Sequence, residues 1–213
     1  MTARGVYAPR MSPRSSSAPA RGRPRSARAR RAVLDAARAL AEKQGYLAAS
    51  IEAIAATSGV AKTTIYRSWP SRSYLFLDLL IEVATEAVPL AHGKDPLAAL
   101  RREHRQVALA TEAFTGRLLV WLLGEAEHDA GFHRALMQRV FEPRSEAAAQ
   151  VIRRAQEAGA MRRDVEPLVV VDLLFGPLFY RKLVRHQRVS PVFAAQVFRD
   201  AMTGLRPRPG RAK

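Results

Sequence analysis

The residues best equipped for recognition chemistry lie between positions 61 and 72. On a helical wheel at about 100° per residue, Ala61, Ile65 and Trp69 fall on one side. Thr63 and Arg67 point directly away, flanked by Thr64 and Tyr66. Lys62 stands at the boundary, with a side chain long enough to reach across. This outward face suits the major groove of duplex DNA. Arginine pairs with guanine through two bonds, threonine offers a hydroxyl and a methyl, and tyrosine and lysine hold phosphates. Taken alone, the same wheel fits a plain helical hairpin with a polar outer face.

Other chemistry finds little support. Cysteine is absent, which removes disulfides, thiol nucleophiles and thiolate metal sites together. Glu125 and His128 have the Glu-x-x-His spacing that binds metal on a helix, but a di-iron bundle needs two such motifs and two further glutamates. This single copy reads as an exposed helix end. No G-x-S-x-G elbow or phosphate-cradling loop accompanies His104, His128, His133 or His186. No catalytic residue, metal or cofactor is expected, and the chain does not read as an enzyme.

The formal net charge is +16, and its distribution is informative. Residues 1–31 hold nine arginines and no acid, and residues 205–213 hold three arginines, one lysine and no acid. Thirteen of the sixteen excess charges therefore sit in the two tails. Basic tails fit a polyanion, either nucleic acid or an anionic membrane surface. Within the first tail, Arg21-Gly22-Arg23-Pro24-Arg25 resembles an AT-hook core, in which an extended Arg-Gly-Arg-Pro enters a narrow A·T minor groove. The alternative is a solvated tail that adds non-specific phosphate attraction. The longest apolar run, 168–180, has thirteen residues and includes Asp172, too short for the ~20 of a membrane span. A soluble chain in the cytoplasm of a bacterium, nucleoid-associated when bound to DNA and without a membrane partner, is expected.

The elements that must position these residues are helical. Residues 1–26 are rich in Pro, Ser, Ala and Arg and read as a disordered basic tail. A first helix spans about Ser26 to Gln44 and ends at Gly45, with Val33, Ala37, Leu40 and Ala41 on one face. Ser50 caps a second helix whose Ile51, Ile54 and Ala55 face inward. Gly59 makes the turn to a third, about Ala61–Trp69, and Ser71 caps a fourth, Arg72–Val88. Further helices are expected at 95–113, 117–128, 130–141, 144–158, 167–187 and 191–204, three of them opened by Asp95-Pro96, Glu166-Pro167 and Ser190-Pro191. The fold class is all-α. A three-helix DNA-binding domain over 27–87, with its helix-turn-helix at about 50–69, precedes a helical ligand-binding and dimerisation domain over 88–204. A basic tail, 205–213, follows.

Residues 28–80 resemble the tetracycline-repressor (TetR) family of bacterial regulators. The likeness rests on Ala36-Ala37 and Leu40, then Gly45-Tyr46 and Ser50, then Ile54-Ala55 and Ser58-Gly59-Val60. It continues through Thr63-Thr64-Ile65-Tyr66 and Trp69-Pro70-Ser71-Arg72. Trp69 and Arg72 stand where members more often have Phe and Lys, and Thr63 where many have glycine. The resemblance implies a double-stranded operator contacted from Ser50, Lys62, Thr63, Thr64, Tyr66, Arg67 and Arg72. Lys62, Thr63 and Thr64 would meet base edges, Tyr66 and Arg72 would clamp phosphates, and Arg67 would read sequence. Arg21, Arg23 and Arg25 would add contacts from the tail.

Residues 90–204 resemble TetR ligand-binding domains, whose penultimate helix carries a sequence like Gly176-Pro177-Leu178-Phe179-Tyr180. The likeness implies a homodimer formed through the last two helices. The apolar run 168–180 agrees, since a helix apolar nearly all round must be covered on every side. Leu174, Phe175, Leu178, Phe193 and Val197 are the expected interface residues. His104, Phe114, Trp121, Glu125, Phe132, Phe141 and Tyr180 are the expected lining of a site for an apolar or aromatic small-molecule effector. The reading is a repressor that its effector releases. A constitutive DNA-binding regulator without an effector stays open beside it, as does an enzyme carrying a DNA-binding head.

Overall fold

The computed structural model describes residues 23–88 and 93–207, with the side chains of 23–25 excepted. All regular structure among these residues is helical, as expected from sequence. The helices are α1 (Arg23–Gln44), α2 (Ile51–Ser58), α3 (Lys62–Ser68), α4 (Arg72–Ala87), α5 (Pro96–Glu112), α6 (Phe114–Ala126), α7 (Ala130–Leu136), α8 (Glu142–Glu157), α9 (Pro167–Phe179) and α10 (Pro191–Gly204).

The ends follow local chemistry. Ser50 Oγ accepts from the Ala53 N–H at 3.2 Å, satisfying an amide that α2 leaves free. Gly59 closes α2 at φ 69°, the left-handed backbone that the turn before α3 requires. Asp95, Glu166 and Ser190 accept from the first turns of α5, α9 and α10, each ahead of a first-turn proline. Ser71 makes no such side-chain bond, contrary to expectation, and α4 starts without it.

Besides shifts of a few residues, such as α6 opening at Phe114 instead of 117, three boundaries differ from the sequence reading. First, α1 begins at Arg23, so the basic tail does not extend to residue 26. Second, residues 130–157 form one helical run rather than two helices, joined by a π turn at Met137–Phe141. Pro143 lacks the N–H that would reach back four residues, and the widened turn before it absorbs that mismatch. A second π turn, Tyr180–Val184, follows Pro177 at the end of α9. Third, Leu205 is buried and its carbonyl accepts from the Arg162 N–H at 2.9 Å, so residue 205 belongs to the packed domain.

Two main cores result. One joins α1–α4 to α6, α7 and the first π turn, and α4 is its common member. Leu75, Phe76, Leu79 and Leu80 of α4 are buried in it together with Leu118, Leu122, Phe132 and Leu136. The other holds α5, α8, α9 and α10 together through Leu100, Ile152, Val170 and Phe198. The division at residue 87/88 is thus one of chain order, since the first core crosses it. No single helix among the described residues is long and apolar enough to cross a membrane; α5 and α6 reach that length only as a pair bent by 73°.

Candidate DNA interface and inner cavity

The helix-turn-helix is built by burying one side of each helix. Ile51 and Ile54 of α2, Ile65 of α3 and Trp69 just beyond it are buried against α1 and α4. That leaves Lys62, Thr63, Tyr66 and Arg67 exposed and Thr64 half-buried, with Tyr66 50% exposed despite its ring. Ala61 is exposed rather than inward, because it caps α3 instead of lying within it. Lys62 Nζ rests 3.4 Å from Glu52 Oε1 across the turn, an exposed pair that a phosphate can readily replace.

Two expected DNA contacts have other employment. The hydroxyl of Ser50 is used as the α2 cap. Arg72 is half-buried and turned inward. Its Nη1 donates to Tyr46 O at 3.3 Å and Leu47 O at 3.4 Å, and its guanidinium lies 5.0 Å above the Trp121 ring. It braces the α1–α2 turn against α6, a role that sequence reading did not assign to it. Arg21 lies outside the described residues. The backbone of Arg23-Pro24-Arg25 forms the first turn of α1, which is not the extended form that a minor-groove insertion needs.

Asp78, in the middle of α4, fixes the pose of α3. Its Oδ2 accepts from Trp69 Nε1 at 2.7 Å and from Arg30 Nη2 at 2.7 Å, and its Oδ1 accepts from Arg139 in the first π turn. Burial pushes this carboxyl up, but the bonds from Arg139, Trp69 and Arg30 together outweigh burial and hold it below the usual range. Arg30 also lies 5.2 Å above the Trp69 ring.

The C-terminal half and the end of α4 shape a partly open cavity of about 130 Å³. Ala84 and Val88 from the end of α4 form one wall, with Val107 and Thr111 of α5, Leu119 of α6, Val140 and Phe141 of the π turn, and Phe175 of α9 around it. Gly116 is obligatory at the rim, since a Cβ there would stand 2.1 Å from Thr111 O. Two charged groups break the apolar lining. Arg144 donates to Ala84 O at 2.9 Å, which also accepts the Val88 N–H, and to Val88 O at 3.0 Å, closing the C-terminal end of α4. Glu103 is buried at 3% exposure, and burial pushes its carboxyl up against the smaller opposing pull of Arg144.

Of the expected lining residues only Phe141 borders this cavity. The others lie elsewhere in the structure. Phe114 and Trp121 pack with Tyr46 and Phe76 in an aromatic cluster between the two halves. Burial there drives the Tyr46 hydroxyl up to about 12, against the pull of Arg117. Phe132 stacks edge-on with Tyr74, and Glu125 accepts from Ser73 Oγ at 2.9 Å. His104 is buried beside Phe175 and Phe198 and donates from Nε2 to Leu174 O at 2.9 Å. Tyr180 is exposed. Phe114, Trp121 and Phe132 bury their large surface by filling the core, while Phe141, Phe175 and Phe179 are the rings that border the void.

The expected interface residues divide likewise. Leu174 and Leu178 are fully buried within their own subunit and are not free to meet a partner, whereas Phe175 is half-buried beside the cavity. Phe193 and Val197 of α10 are half-buried. The bare apolar face of α9 is the opposite one, carrying Val169, Leu173 and Tyr180, with Val184 and Val192 nearby in the chain. Among the described residues no group of histidine and acidic side chains could hold a metal ion.

Comparison with known proteins accords with this geometry. The family profile described as bacterial regulatory proteins, tetR family, matches residues 33–79, and that for the tetracyclin repressor-like C-terminal domain matches 94–201. The HTH-type transcriptional regulator YdeS of Bacillus subtilis (strain 168) is 26% identical over 185 residues, covering 87% of this chain and 93% of YdeS. The HTH-type transcriptional repressor KstR of Mycolicibacterium smegmatis is 33% identical over 128 residues, covering 50% of this chain and 62% of its own. Among solved structures, the TetR family transcription regulator SCO0332 is 32% identical, superposes with a TM-score of 0.71, and is covered over 84% of this chain and 99% of its own. With both halves matched in order, and with α3 presenting its polar face, the chain belongs to the TetR family of DNA-binding transcriptional regulators, which are not enzymes.

Proposed function

We propose that the protein is a homodimeric repressor in the bacterial cytoplasm, and that a small apolar effector releases it from a double-stranded operator. The observation that carries this reading is the shared wall between the cavity and α4. Arg144 borders the cavity and holds the carbonyls of Ala84 and Val88, while the same helix holds Trp69 at the end of α3 through Asp78. A ligand that displaces Arg144 or Phe141 changes how the end of α4 is held. In a dimer whose two α3 helices must sit about one DNA turn apart, such a shift spoils their spacing. The effector must prefer the shifted form for this to occur. Exposed Val169, Leu173 and Tyr180 support pairing through the outer face of α9. Family likeness to KstR, itself termed a repressor, supports the sign of regulation.

The size of the cavity favours a second reading. At about 130 Å³ it is smaller than the roughly 300–1,000 Å³ of common ligand sites, as an effector-free regulator would have. One experiment separates the two. Operator sequences are selected from random duplexes, and the best is titrated with protein in the presence of small apolar compounds. A fivefold or greater loss of affinity with any of them, reciprocated in that compound's own affinity, supports release. No change with any compound, and an unaltered operator affinity in the cavity-filling variant Leu119→Phe, supports the effector-free regulator.

A further inference from the structure

One polar group in the cavity lacks a partner. Glu103 Oε2 is buried and accepts no hydrogen bond. The neighbouring buried groups are satisfied: Thr111 donates to Ala108 O at 2.6 Å and His104 to Leu174 O at 2.9 Å. Arg144 is directed at the α4 carbonyls and acts on Glu103 only through its charge. A buried acceptor without a donor is costly and rare. Sequence position does not force it, because a leucine at 103 would suit the buried stripe formed by Leu100, Ala99 and Val107.

We infer that the cavity takes a small neutral molecule, of about one ring, whose hydroxyl donates to Glu103 Oε2. This rests on the reading of the cavity as the effector site. Size argues for a single ring, since an engineered apolar cavity of about 150 Å³ holds benzene and this one measures about 130 Å³. Charge argues for neutrality. A full charge of either sign would be attracted by one of Glu103 and Arg144 and repelled by the other, so it gains little to offset its desolvation. The apolar remainder, including Leu80, Leu119, Phe141 and Phe175, covers the ring. A hydroxyl is preferred to an N–H because it can donate to the carboxylate and also accept from the carboxylic acid. Burial favours the protonated form of Glu103, and a hydroxyl can partner that form as well as the carboxylate.

The test is calorimetric titration of the full-length protein with four probes of similar size: phenol, toluene, benzylamine and benzoate. Phenol is expected to bind about tenfold more tightly than toluene, the usual consequence of pairing an otherwise unsatisfied buried acceptor, and more tightly than either ion. Glu103→Leu should abolish or invert the preference for phenol. Leu119→Trp, which fills the void and leaves Glu103 in place, should remove binding of every probe. Toluene matching phenol, or benzylamine or benzoate binding most tightly, overturns the hydroxyl assignment while leaving the cavity a binding site. If no probe binds the unmodified protein, the effector reading of the cavity falls, and this inference with it.

Discussion

Trp69 Nε1 donates to Asp78 Oδ2 at 2.7 Å, fastening the residue that ends α3 to the middle of α4. Arg30 and Arg139 approach the same carboxylate from α1 and from the π turn of the C-terminal half. One side chain thereby sets the angle at which Tyr66 and Arg67 are presented and links it to the turn that borders the cavity. Removing the carboxylate leaves Trp69 without its acceptor and two arginines without their partner. Asp78→Ala should lower stability by about 2–3 kcal/mol, toward the low side of a broken buried pair because both guanidinium groups reach solvent. Trp69→Phe should cost about 1–2 kcal/mol. Urea unfolding midpoints measure both, and operator affinity should fall for each variant while it remains folded.

Sequence reading by α3 is tested at Arg67 and Tyr66, which stand clear of the fold. Arg67→Ala should relax preference at one operator position, by about 1–3 kcal/mol where guanine is read. Tyr66→Phe should weaken all duplexes alike. Affinities for a panel of single-base operator variants distinguish the two outcomes, and an unchanged profile for a Thr63/Arg67 double variant removes the base-reading assignment.

Salt dependence separates Lys62 from Arg72. Removing one side chain that neutralises a phosphate should flatten the slope of log affinity against log salt by about 0.9. Lys62→Ala should show that change with little loss of stability, its partner Glu52 being exposed. Arg72→Ala should leave the slope intact and lower the unfolding midpoint, because its guanidinium braces Tyr46, Leu47 and Trp121. The reverse pattern would restore Arg72 as a clamp.

Acid and neutral pH should act in opposite senses on the two buried carboxyls. Glu103 is raised above its unfolded value of 4.5, so the folded state holds its proton more tightly. Stability is then fullest below that value and declines as pH rises through the folded pKa. The advantage of Glu103→Gln over the unmodified protein should therefore widen from about pH 4 toward neutrality. Asp78 is depressed, so its contribution is present at neutral pH and fades as pH falls below about 4. Denaturation of each variant across that range supplies the comparison.

Assembly is tested on the two faces of α9. Leu173→Glu places a charge on the bare face and should yield a folded monomer by sedimentation. Leu174→Glu buries an unpaired charge in the subunit's own core, at a cost of several kcal/mol, and should unfold the chain. A monomeric unmodified protein at micromolar concentration would exclude the dimer.

Sequence reasoning reached the helices and the outward face of α3 because caps, turn glycines and a 3.6-residue period are local properties. Ser50, Gly59, Asp95 and Ser190 act where their types require. The cavity is a different matter. It is what remains after packing, and Phe114, Trp121 and Phe132 went to filling the core instead of lining the space. Glu103 was nonetheless legible in principle, as the acid between Leu100 and Val107 on the stripe that buries Ala99, Leu100, His104 and Ala108. Asp78 offered the same signal inside the apolar run of α4. The bracing role of Arg72 was not legible because its partners, Tyr46 O, Leu47 O and Trp121, are brought near only by tertiary contact.

The core that α4 shares with α6 and α7 has a consequence for modularity. Leu75, Phe76, Leu79 and Leu80 are buried with Leu118, Leu122, Phe132 and Leu136, so a fragment cut after residue 88 would lay open the inner side of its own longest apolar helix. The reading head is therefore not a cassette that recombination could detach and graft intact onto another sensor. In this chain, substitutions that leave the shared interior undisturbed are available on the outer surface of α3, where Thr63, Tyr66 and Arg67 are exposed.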